Sequence, residues 1–132
     1  MKLRPLDVLN HRDSESVVNK NKPRPKMVAC IEPQRGWFLR INSRSHFAPC
    51  FPINQTDHPW LHAGDSFLGC RILQLTELQI EDALARNAGS AIGKIAAKHI
   101  PEILKHLGEW EAITNEQLRL VSAALRFLEP NT

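Results

Sequence analysis

The stretch Lys22-Pro23-Arg24-Pro25-Lys26-Met27-Val28-Ala29-Cys30-Ile31-Glu32-Pro33-Gln34-Arg35-Gly36-Trp37-Phe38-Leu39-Arg40-Ile41-Asn42 decides the fold. Two short runs of β-branched, aromatic and apolar residues, 26–32 and 37–42, flank Pro33-Gln34-Arg35-Gly36. Proline fixes φ and glycine tolerates φ > 0, so these four residues predict the turn of an antiparallel hairpin. Outward from it, 6–9, 50–53 and 67–75 read as further strands, separated by Pro, Gly, Asn, Ser and Asp. The polar segment 12–22 has no periodicity and reads as an exposed loop.

After Leu75 the texture changes to Ala, Leu, Glu, Lys and Gln, which favour helix. A short helix is expected over 77–86, ending near Asn87-Ala88-Gly89, and 88–95 is either a final strand or a helix N-terminus, with Gly89 and Gly93 favouring the strand because they disfavour helix. Further helices are expected near 97–107, with Gly108 as its C-cap, and near 115–128. Thr114-x-x-Gln117 is a capping-box pattern, and Leu118, Val121, Leu125 and Leu128 then share one helical face. The expectation is a mainly β single domain over 1–132: a small antiparallel β core over 3–95, followed by C-terminal helices over 96–132.

The chain has 132 residues, 42% hydrophobic and 23% charged, ordinary globular usage that disfavours disorder and fibrous folds. No apolar run approaches the roughly 20 residues of a membrane span, and the N-terminus has no apolar signal core, so no membrane partner and a cytoplasmic location are expected. Cys30, Cys50 and Cys70 lack C-x-x-C spacing and are expected to be reduced. Net charge is +3, distributed as +4 over 1–26, +1 over 27–75 and −2 over 76–132, which places the basic surface at the front of the chain. Lys20, Lys22, Arg24 and Lys26 enter one strand while Arg40, Arg44 and Arg71 stand on or beside others, an arrangement suited to pairing with phosphates.

Motifs for other chemistries are incomplete. Gly89-Ser90-Ala91-Ile92-Gly93-Lys94 is one residue short of a phosphate loop, and Ile95 replaces its Ser/Thr. His58-Pro59-Trp60-Leu61-His62 has H-x-x-x-H spacing, but Pro59 disfavours a helix and no third ligand is adjacent, so no metal and no cofactor are expected. No G-x-S-x-G elbow nominates a nucleophile.

Pro5-Leu6-Asp7-Val8-Leu9, then a polar loop, Lys22 to Cys30, and Phe38 to Ser43 resemble in order the MazF/PemK family of toxin endoribonucleases. Asp57-His58-Pro59-Trp60-Leu61 and Asp65-Ser66-Phe67-Leu68-Gly69-Cys70 are similar to elements of a divergent PemK-like branch, so the resemblance covers roughly 3–107. Leu6 stands where the family pattern has Gly. The resemblance implies an SH3-like barrel with C-terminal helices, usually a homodimer, that cleaves single-stranded RNA without a metal and is restrained by an antitoxin with an acidic tail. It places the catalytic Arg at Arg24 and the hydroxyl residue at Ser43.

Such cleavage needs cationic stabilisation of the phosphorane and proton transfer at the 2′ and 5′ oxygens. A guanidinium stays protonated, so Arg24 supplies charge, and the loop histidines His46 and His58 are the proton-transfer candidates. Lys22, Lys26, Arg40, Arg44 and Arg71 are expected on phosphates, with Trp60 stacking a base. The alternative from the same residues is a non-catalytic SH3-like module that binds nucleic acid or a partner protein.

Overall fold

The computed structural model describes residues 3–13, 24–45, 48–62, 64–126 and 128. Among the described residues seven strands, β1 (Asp7–Asp13), β2 (Arg24–Glu32), β3 (Trp37–Asn42), β4 (Cys50–Ile53), β5 (Ser66–Gly69), β6 (Leu73–Gln74) and β7 (Gly93–Lys94), form one sheet in the order β4-β5-β3-β2-β1-β7, with β6 beside β3. Every pairing is antiparallel. Strand β3 is shared along one edge, its end on β5 (Ile41 opposite Leu68) and its start on β6 (Phe38 opposite Leu73). The sheet is thereby a curled antiparallel half-barrel, with helices α2 (Ile100–Glu109) and α3 (Asn115–Arg126) following it.

Period-2 alternation separates two apolar layers. Ala29, Ile31, Leu39 and Ile41 join Leu6, Val8, Phe51 and Leu68 in the concave core, which α2 covers with Ile100, Ile103 and Leu107 and α3 with Val121 and Leu125. Their neighbours Val28, Cys30 and Phe38 join Leu9 and Leu75 on the other face, under Ala83 of α1 (Glu77–Arg86). Fully burying such a side chain contributes about 1.5–3 kcal/mol, so both layers matter to a chain of this size.

The hairpin turn is as the sequence predicts, and Gly36 has φ +70°, with the space for a Cβ taken by the Leu75 carbonyl oxygen at 2.4 Å. Its other fastener was not foreseen. The carboxylate of Glu32, only 5% exposed, accepts from the backbone N–H groups of Gln34 (3.3 Å) and Arg35 (2.7 Å).

The capping box that starts α3 is present, with Thr114 N donating to Gln117 Oε1 and Gln117 N to Thr114 Oγ1, both at 3.0 Å. Helix α2 is preceded by a 3-10 turn, Ala97–His99, and runs through Gly108 to Glu109, so Trp110 and not Gly108 is its C-cap. Three strand expectations need correction: of 88–95 only Gly93–Lys94 is strand, because Gly89, at φ +81°, closes α1 with its N–H donating to Leu84 O at 2.7 Å. The run 67–75 is broken because Cys70 N turns to donate to Pro49 O at 2.7 Å, which separates β5 from β6. Strand β1 continues to Asp13, since His11, Arg12 and Asp13 pair with Lys26, Pro25 and Arg24.

Leu6 is 1% exposed yet has φ +74°, a left-handed backbone that costs a residue bearing a Cβ roughly 1–2 kcal/mol. Its N–H donates to Cys30 O at 2.7 Å and its carbonyl accepts from Ile95 N at 2.9 Å.

Candidate nucleic-acid interface

Strands β2 and β3 are antiparallel with Val28 opposite Arg40, so the start of β2 and the end of β3 lie at one end of the sheet. Arg24 is the first residue of β2, opposite Asp13, and Lys26 follows it opposite His11. At the same end β3 leads into Ser43 and Arg44, both exposed. Lys26 and Arg40 are half-buried. Two expected site residues, Lys22 and His46, lie outside the described residues.

Arg71 belongs to the support of this end more than to its binding surface. Its guanidinium donates through Nε (3.0 Å) and Nη2 (2.5 Å) to the Ala48 carbonyl oxygen, 23 residues back in the chain. Cys50 Sγ reaches the Ser45 carbonyl oxygen at 3.8 Å in the same loop. The chain that follows Ser43 is thus tied to the β5–β6 corner, and the fork expected on phosphate is engaged with backbone.

His58 requires a correction. It is 0% exposed, with Nδ1 2.9 Å from the Asn54 carbonyl oxygen and Nε2 accepting the backbone N–H of Ala96 at 3.1 Å. A carbonyl only accepts and an amide N–H only donates, so the ring is the neutral tautomer with its proton on Nδ1. Burial, the largest cause, drives its pKa below the ordinary histidine value, with His99 and Lys98 acting in the same direction against the Asn54 bond and Asp57. No nitrogen is left for an RNA hydroxyl.

Trp60 is corrected with it. Its indole covers β7, where a Cβ on Gly93 would lie 2.4 Å from the ring, and it meets His58 edge-on with centroids 5.4 Å apart. One face of this half-buried indole therefore packs on protein. The segment expected to bring a histidine and a stacking aromatic to RNA instead fastens the β4–β5 loop to the chain at 93–99.

Sequence reasoning misses His11, because the polar residues 12–22 read as a loop and the apolar run of the first strand stops at Leu9. The only available signal was the alternation Val8-x-Asn10-x-Arg12, which continues the strand but carries no apolar residue after Leu9. Paired with Lys26 and 8% exposed, His11 stands at the basic end of the sheet.

Among the described residues no three His, Cys, Asp or Glu side chains are grouped to hold a metal ion, and no helix is long and apolar enough to cross a membrane. The arrangement is suited to an extended polyanion: cationic residues from two strands and a hydroxyl converge on one sheet end. No protein family, curated protein or solved structure matches the chain.

Proposed function

We propose that the protein is a metal-independent endoribonuclease for single-stranded RNA, of the toxin type, whose site is the sheet end formed by the start of β2 and the end of β3. The antiparallel register of β2 on β3 carries this reading, since it brings the strand that begins with Arg24 beside the one that ends before Ser43. Left-handed Leu6, at the glycine of the family pattern, adds support for an SH3-like barrel of that family. Arg24 stabilises phosphorane charge, Ser43 holds the scissile phosphate, and Lys26, Arg40 and Arg44 contact flanking phosphates. With His58 committed to packing, proton transfer falls to His46, three residues beyond Ser43. A homodimer in the cytoplasm, held in check by the acidic tail of an antitoxin, completes the proposal.

The test is cleavage of single-stranded RNA in EDTA, with a 2′,3′-cyclic phosphate or its opened form as product. Arg24→Ala should lower the rate about 100- to 1,000-fold with unchanged thermal stability, the usual cost of losing one preorganised charge-stabilising donor. Ser43→Ala should cost less. An Arg24→Ala protein that cuts at the parental rate overturns the site. The burial of His58 favours a second reading, a non-catalytic SH3-like module, and a parent protein that binds RNA without cleaving it would establish that reading instead.

A further inference from the structure

His58 stacks on a second buried histidine. The rings of His58 and His99 have centroids 5.3 Å apart at an interplanar angle of 21°. His99 Nδ1 is 2.9 Å from Glu102 Oε1, while its Nε2 is buried with no hydrogen-bond partner among the described residues. Phe51 of β4 packs between the rings of His99 and His106, at 5.7 and 5.2 Å. The pair thus joins the β4–β5 loop, which carries His58, to the segment 93–99 and α2. Beside it, Asp57 Oδ2 binds Lys98 Nζ at 2.8 Å.

We propose that the His58–His99 stack is an acid-labile latch: at neutral pH it closes the β4–β5 loop over 93–99, and a proton on His58 releases that loop while the sheet stays folded. In the closed form Nε2 of His58 faces the Ala96 N–H. A proton there turns an acceptor into a donor and sets N–H against N–H. The charged and titratable groups around the ring act in both directions. Asp57 favours the cation but is engaged by Lys98; Lys98 opposes it; and a proton on His99, whose Nδ1 faces Glu102, puts a like charge on the stacked ring. His106 lies beyond Phe51, bonded through Nδ1 to the Glu102 carbonyl oxygen at 2.8 Å.

The pKa of His58 is depressed in the closed form, so the latch is at full strength above the open-state value of about 6.5 and weakens as pH falls below it. Between the open-state and closed-state values the closing equilibrium falls up to tenfold per pH unit. Asp57 is held below its ordinary carboxylate value chiefly by its hydrogen bond from Lys98, so that ion pair outlasts the histidine contact and its loss belongs to a more acidic range.

Amide hydrogen exchange on the full chain tests this, with rates corrected for intrinsic pH dependence. Between pH 7.5 and 5.5 the protection of the Ala96 amide and of 54–62 should fall severalfold, to a limit of about tenfold, while Leu39 and Ile41 keep theirs. Histidine NMR at pH 7.5 should show His58 protonated on Nδ1 alone. His58→Phe should leave Ala96 weakly protected at both pH values. Unchanged Ala96 protection in the parent protein, loss of protection in the core strands together with the loop, or a His58 ring that titrates at or above 6.5 each overturns the latch.

Discussion

Replacing Leu6 separates two opposing energies at a single residue. The side chain is buried in the concave core, so truncation to Ala should cost about 2–5 kcal/mol, the range for deleting a buried leucine. Alanine keeps a Cβ at φ +74° and therefore keeps the left-handed penalty of roughly 1–2 kcal/mol. Glycine removes that penalty, but its cavity is larger by one methyl, worth about 0.8 kcal/mol, and it gives back about 0.4–1 kcal/mol through the greater freedom of its unfolded chain. Leu6→Gly should therefore match Leu6→Ala to within about 0.8 kcal/mol, whereas at an ordinary buried position glycine would be the poorer by about 1–2 kcal/mol. Both variants should fall below the parent protein. Urea unfolding followed by tryptophan fluorescence has the resolution if the three proteins share one m-value. A Leu6→Gly protein less stable than Leu6→Ala by more than about 1 kcal/mol would refute the left-handed assignment.

Two further outcomes follow from the packing. Gly93→Ala puts a methyl into the Trp60 ring, so it should displace the indole, shift its emission, and destabilise the fold by about 1–3 kcal/mol, as overpacking does. Half-buried Cys50 should react first with a thiol reagent at pH 8, because burial pushes the Cys70 thiol up to about 12 and that of Cys30 higher still. Mass spectrometry before and after denaturation distinguishes the three, and rapid labelling of Cys30 or Cys70 in the native protein would contradict their burial.

The strands that alternate cleanly or are bounded by Pro and Gly were legible in the sequence: β2, β3, their turn and β4 fall where the residue pattern puts them. So was the capping box of α3, because its hydrogen bonds span only three residues. The break at Cys70 was not, since its cause is a carbonyl 21 residues away, at Pro49. The basic sheet end was legible as charge. The roles of His58, Trp60 and Arg71 were not, because composition cannot tell a buried imidazole from a catalytic one. What distinguishes them is a partner remote in sequence: Ala96, Gly93 and Ala48 respectively.

Strand β1 is flanked by β2 on one side and on the other by residues made some 84 positions later, where Ile92 N donates to Val8 O at 2.9 Å. At a synthesis rate of about 5–20 residues per second, that second edge waits about 4 to 17 seconds for its partner. In the interval β1 can form its hairpin with β2 but still presents a row of unpaired backbone groups. The strand's own sequence blunts that hazard: Asp7, Asn10, His11, Arg12 and Asp13 put polar and charged side chains along it, a composition that discourages pairing with a second nascent chain. A residue pattern that looks too polar for an interior strand is thus suited to the order in which the ribosome delivers its neighbours.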